Sequence, residues 1–229
     1  MALIKKLTSE PTIYVFTGIF ILLMILTSSD QFSTKLASVY GFMILIDLGI
    51  SQLITSKFNI NPLGGNTINS ILWAAGAILL LSFVYKGINV VARASIEGSA
   101  FSQNFTSIKS QASLFSIEFE KIPFLSFMLF GIVIPIIETR LLARIFDFFT
   151  QTFQIGYNKF SGALLGVIVF CASLFTYFHF KVRGLNNNVD LFLTFIFGLM
   201  TLYLFIKFKE AESATEFHIG WNSLAILKG

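Results

Sequence analysis

The stretch IPFLSFMLFGIVIPII, Ile122–Ile137, carries no charge and runs straight into Glu138. A helix that crosses a bilayer needs roughly 20 mostly apolar residues. This run continues through Leu141–Phe149, with Asp147 interrupting, so it reads as a membrane span that carries a carboxylate along its length. Hydrocarbon makes such a group expensive, and an ionisable residue in a span is read first as part of a functional site. Pro135 has no N–H, and its ring clashes with the carbonyl one turn back. A kink or break just before Glu138 is therefore predicted.

The rest of the chain has the same character. Apolar residues make up 55% and charged residues 12% of the 229 positions, with a mean hydropathy of +0.79. A soluble domain carries about 25% charge. Too little polar surface remains to coat a water-soluble globule, and no period-2 alternation indicates strands. The fold class is an all-α polytopic membrane bundle. Seven apolar segments predict about seven transmembrane helices: Thr12–Thr27, Val39–Ser56, Ile68–Val90, Ile122–Ile137, Gly162–Phe180, Val189–Phe208 and Thr215–Leu227. The first, entered through Lys5, Lys6 and Glu10-Pro11, reads as a retained helix, because no small-x-small cleavage site clearly follows it. Glu97–Lys121, rich in Ser, Gln and Asn, reads as an interfacial amphipathic segment and loop. Lys207–Glu216 holds five of the 28 charged side chains and is expected to be solvated. No soluble domain and no internal repeat is discernible.

The net charge of +4 comes from scattered Lys and Arg, so no nucleic-acid surface is indicated. The implied surroundings are the lipid bilayer of a cell membrane, or of the endoplasmic reticulum in a eukaryote. Lys and Arg occur in nearly every loop, which leaves the orientation open under the positive-inside rule. The lone Cys171 lies in an apolar run and reads as a small core residue.

Only two histidines occur, and each has a meaningful residue four positions away: Phe175-x-x-x-His179 and His218-x-x-x-Asn222. Residues i and i+4 share a helix face. His218 and Asn222 therefore point to one spot, where their N–H groups can hold a carbonyl oxygen and the charge that develops on it. Phe175 would orient the His179 ring. Glu138 adds a base. Together these groups meet the needs of amide hydrolysis by an activated water.

In this order, Pro135-x-x-Glu138, Phe175-x-x-x-His179 and His218-x-x-x-Asn222 resemble the motifs of the CPBP family, the type II CAAX prenyl endopeptidase and bacteriocin-processing proteins, which are intramembrane glutamate proteases. The resemblance covers roughly residues 122–227. It implies a division into N-terminal membrane helices with an interfacial segment, 1–121, and a catalytic membrane core, 122–229. It also implies a peptide or protein substrate at the membrane and catalysis without a cofactor or metal. Glu138 would be the base, His179 would position water, and His218 with Asn222 would stabilise the oxyanion. Two departures stand in the first motif. The family's second glutamate is Thr139, and Ala143 occupies the position of its arginine, flanked by Arg140 and Arg144. Thr139, Arg140, Arg144 and Phe175 are the candidate supporting residues.

Plainer readings exist for each residue. Glu138 can be a helix-end acid paired with Arg140 or Arg144, and His179 an interfacial aromatic beside Lys181 and Arg183. His218 and Asn222 can be interhelical hydrogen-bonding groups, worth ~0.6 kcal/mol each. Asp47, alone in its span, suits a structural contact as well as a cavity wall. At the level of function the alternatives are a non-catalytic scaffold or bacteriocin-immunity protein, a zinc protease using the Glu and two His, and a small transporter.

Overall fold

The computed structural model describes residues 30–54, 56, 68–91, 100–114, 121, 123–157, 161–183 and 188–228. The predicted span Thr12–Thr27 lies outside them. Among the described residues the chain is helical. α1 is Asp30–Leu53, α2 Ile68–Val91 and α3 Ala100–Leu114. α4 is one rod, Pro123–Thr152, made of an α-turn at Pro123–Ser126, a π-helical segment at Phe127–Val133 and an α-helix at Ile134–Thr152. α5 is Gly162–Arg183, α6 Asn188–Phe208 and α7 Glu212–Lys228.

Four described helices are long and apolar enough to cross a membrane: Ile68–Gly87, Pro123–Thr152, Gly162–Lys181 and Asp190–Phe208. Val39–Leu53 is a shorter apolar helix. The four candidates divide by burial. In α2, α5 and α6 about a third or less of the apolar window is buried, against 72% in α4. Their outer faces carry exposed Leu79, Phe83, Phe170 and Phe192, as suits a surface that meets lipid rather than water.

The interior is an apolar core with polar side chains set into it. α7 packs against α2, α3, α4 and α6, and it buries Glu212, Ser213, Thr215, His218 and Asn222. α3, expected to lie in the interface, instead packs on α7 and α5 and buries Ile108, Gln111 and Ala112. Its residues 104, 107, 108 and 111 fall on one helix face, and that face is turned into the bundle. The expectation of a solvated Lys207–Glu216 loop holds for the exposed Lys207 and Lys209 but not for the residues that follow them. α6 runs to Phe208, Lys209 turns the chain with φ 57°, and α7 begins at Glu212. Ala211, Glu212 and Ser213 are buried. Burial, followed by the nearby Glu212 charge, pushes the Glu210 carboxyl above its usual range. The exposed Lys207 ammonium lies 3.5 Å from the centre of the Trp73 ring.

Two devices close the packing. Between α5 and α6, Gly198 leaves no room for a side chain: a Cβ there would stand 3.3 Å from the Ala172 backbone. Small residues allow helices to approach this closely in lipid. Between α1 and α4, Asp47 accepts from Arg140 Nε at 2.8 Å and from Arg144 Nε at 3.1 Å. All three side chains are buried. Arg140 and Arg144 are spaced i, i+4, so one carboxylate meets both, one oxygen each.

Removing Asp47 takes a bonded carboxylate from two buried guanidinium groups. Asp47→Ala is expected to lower stability by about 3–5 kcal/mol, read by denaturant unfolding in detergent. Asp47→Glu should cost less. Unchanged unfolding of Asp47→Ala would show that the trio ties nothing together.

Candidate functional site

The site is built on the π-helical segment. Its C-cap Ile134 donates its N–H to the Leu129 carbonyl, five residues back. In that register the N–H of residue 135 would reach the Phe130 carbonyl, and in α register the Gly131 carbonyl. Pro135 has none to give. Both carbonyls instead receive donors from α7. Asn222 Nδ2 donates to Phe130 O at 3.1 Å, and Ser223 Oγ to Gly131 O at 3.4 Å. Of the predicted kink or break before Glu138, no break occurs, and the local distortion takes the form of π turns. The wider π turns take up the proline, the rod continues, and the open carbonyls become docking points for the last helix.

One turn on, Glu138 is 1% exposed. Its Oε2 stands 3.4 Å from His179 Nε2 and 3.6 Å from His218 Nε2. Its Oε1 accepts from the Tyr40 hydroxyl at 3.3 Å, and that hydroxyl accepts from Gln111 Nε2. Helices α1, α3, α4, α5 and α7 therefore converge on one carboxyl group.

Each imidazole is oriented by its other nitrogen. His179 Nδ1 lies 2.8 Å from the Phe175 carbonyl. A carbonyl only accepts, so Nδ1 carries the proton. The Phe175 ring sits 4.1 Å from the imidazole centre, tilted by 42°. With Nδ1 protonated, a neutral His179 turns the bare lone pair of Nε2 towards Glu138. Two bare acceptors repel, so this pair is complementary only when it holds a proton between carboxyl and imidazole. His218 Nδ1 is 3.0 Å from Thr139 Oγ1. The threonine hydroxyl can donate there, leaving His218 Nε2 to present an N–H to the carboxylate. Thr139, where the CPBP motif has its second glutamate, thus serves as the orienting partner of His218. Phe197 meets the His218 ring edge-on, 4.8 Å between centres.

Asn222 is held at both ends, since Asn104 Nδ2 donates to its Oδ1 at 3.1 Å. One of its two amide hydrogens goes to Phe130, and the other is available to a ligand. A cavity of about 60 Å³ opens beside these groups. It has room for several waters, each needing about 10–15 Å³ on that measure. His179, His218 and Asn222 line it, with Tyr85, Phe175 and Phe197. Glu138 is not among the residues of its wall. The carboxyl lies behind the imidazoles.

Arg140 and Arg144, expected as supporting residues, have Asp47 as their described anion. Asp47 so takes the structural of its two readings. Among the described residues no group of three or more His, Cys, Asp or Glu is placed to hold a metal ion. Cys171 is fully buried. Tyr40, Gln111 and Asn104 are residues that the motif reading missed. The seven-residue spacing of the amides Asn104 and Gln111, with Ser107 and Ile108 between, was the available signal for the latter two. Tyr40 left none. Comparison with models of protein families, with curated proteins and with solved structures returns no match, so the CPBP resemblance stands on the motifs alone.

Pro135 and Asn222 should be energetically coupled. Pro135→Ala restores an N–H that competes for the Phe130 carbonyl, so Asn222→Ala should cost less in that background. A double-mutant cycle on unfolding in detergent is expected to give a coupling of about 1 kcal/mol. Additivity to within about 0.3 kcal/mol would refute the account of the π segment.

Proposed function

We propose that the chain is an intramembrane endopeptidase that hydrolyses a peptide bond with a water activated through Glu138. The meeting of one buried carboxyl oxygen with two imidazole Nε2 atoms, beside a cavity large enough for water, carries this reading. The gap of 3.4 Å between Glu138 and His179 is too short to hold a water between them. The water belongs in the cavity, against the rings, and its proton passes to the Glu138–His179 pair. The hydroxide attacks the scissile carbonyl carbon. The second amide hydrogen of Asn222 donates to the oxyanion, joined by the His218 Nε2–H, which the Glu138 carboxyl ceases to hold once it takes up the proton. The pair then returns the proton to the leaving amine as the C–N bond breaks. Water must enter from one membrane face, since hydrocarbon supplies none.

On this reading the chain is a multi-pass protein of a cell membrane, or of the endoplasmic reticulum in a eukaryote, with about seven spans. The four long apolar helices are joined in that count by Val39–Leu53, by α7 and by the segment Thr12–Thr27 read from sequence. Residues 122–229 form the catalytic core, and a peptide or protein at the membrane is the substrate. A second reading has its own support. Glu138 lies off the cavity wall, and the Asn222 carboxamide is bonded at both ends. Both features suit a non-catalytic scaffold or immunity-type protein, in which the polar cluster only ties helices together.

Turnover of a peptide substrate by purified protein in detergent separates the two. Glu138→Gln is expected to abolish hydrolysis while leaving the bundle folded, and His179→Ala to resemble it. Asn222→Ala should slow turnover on the order of 10²-fold, as loss of one oxyanion donor does elsewhere. Chelators should have little effect. Full activity in Glu138→Gln would falsify the glutamate mechanism. Activity lost to a chelator and restored by zinc would move the assignment to a metal site.

A further inference from the structure

The wall of the cavity contributed by α6 is a single stripe: Asp190, Leu193, Thr194 and Phe197, at i, i+3, i+4 and i+7. Along it the exposure falls from half-buried at Asp190 to buried at Phe197. Phe197 packs edge-on against His218, so the inner end of the stripe lies level with the imidazole and the outer end marks the mouth. Seven residues of helix separate the two ends, roughly 10 Å at 1.5 Å per residue. Thr194 spends its hydroxyl on the Asp190 carbonyl, which leaves the carboxylate as the charged group of this wall. Among the described residues no cation pairs with it. Across the cavity stand the neutral polar side chains Asn104 and Ser107 of α3. Asp190 also lies in the first turn of α6, where the helix dipole favours an acid. That accounts for an acid at this helix position, but not for its place on the wall of the one cavity that the two histidines share.

We propose that Asp190 selects a cationic peptide, binding an ammonium or guanidinium group at the cavity mouth while a carbonyl of the same peptide lies at His218 and Asn222. The proposal rests on the reading of the cavity as a peptide site. An extended chain rises about 3.3 Å per residue, so the roughly 10 Å along the stripe places the cation about three residues from the carbonyl held at the inner end. A lysine or arginine side chain and a free N-terminal ammonium share this chemistry.

The test uses the full-length protein in detergent, carrying Glu138→Gln so that bound peptide is not consumed. The probes are fluorescent hexapeptides that differ only in one lysine or norleucine. A third member carries a free rather than acetylated N-terminus in place of the lysine. The expected result is that one cationic member binds roughly 5- to 10-fold tighter than the norleucine peptide, as for a half-exposed charge-assisted contact. Which member gains tells side chain from N-terminus. In Asp190→Asn the ratio should fall below about twofold, and in Asp190→Glu it should persist. Asp190→Lys should favour a glutamate peptide. Equal binding of all three probes without the Asp190 change, or a preference that survives in Asp190→Asn, overturns the proposal. If Asp190→Asn does not fold, the lysine-to-norleucine ratio and the Asp190→Glu variant still decide. The preference can stand while the unmodified protein fails to cleave, in which case only the hydrolytic reading is lost. Cleavage without any preference removes only the role of Asp190.

Discussion

A missing hydrogen organises the centre of this bundle. Pro135 cannot donate, the helix preceding Glu138 runs in π turns, and the two carbonyls that an N–H at position 135 could have reached meet side chains of another helix. In hydrocarbon an open carbonyl costs several kcal/mol. A neighbouring helix must answer it, and Asn222 with Ser223 does so. That contact sets the height of α7 against α4. The height of α7 in turn brings His218 level with Glu138 and Thr139. The carboxyl, the imidazole and the carboxamide are in one place because a proline three residues before the acid has no N–H.

Around that centre the bundle is apolar on both sides. Large apolar side chains cover the outside, and acids, amides and imidazoles are set into an apolar core. Lipid gives no reward for hiding leucine, so close packing and polar contacts hold such helices together. The contacts differ greatly in weight. A neutral hydrogen bond between membrane helices is worth ~0.6 kcal/mol, so Asn104 to Asn222 or Tyr40 to Glu138 positions a group rather than anchoring a helix. The trio of Asp47, Arg140 and Arg144 is different, since breaking it leaves charge in a dry interior. α1 is therefore held to α4 by charge, and α7 is held to α4 by polar contacts spread over several residues.

Much of this arrangement was legible in the chain. Long apolar runs over Ile68–Val90, Gly162–Phe180 and Val189–Phe208, with charge only near their ends, matched helices within a few residues, because length and apolarity alone decide them. The spacing of His218 and Asn222 put both on one face, and they do share a cavity. The i+4 relation of Phe175 and His179 was read as ring stacking, whereas the carbonyl of Phe175 fixes the imidazole as much as its ring does. What composition hides is partnership across helices. Nothing near Asp47 in sequence indicates Arg140 and Arg144. The polar character of Ala100–Leu114 pointed to the interface, although a polar helix is equally suited to meet a polar interior. The same confusion affected the Glu210–Glu216 region, whose charges look solvent-seeking until the buried helix that carries them is known.

The interior position of α7 bears on how the protein is assembled. A helix with Glu212, Glu216, His218 and Asn222 within its length is a poor candidate for entering a bilayer unaided, since acidic side chains near a helix centre disfavour insertion by a few kcal/mol each. Its predecessor α6 is apolar and enters readily. Only Lys209, Glu210 and Ala211 separate the two, and Lys209 already holds the left-handed conformation that reverses the chain. The pair is thus a helical hairpin, in which the polar arm packs back against the apolar one. His218 and Asn222 are thereby tied, through three residues, to the helix whose stripe from Asp190 to Phe197 forms the facing wall of their cavity.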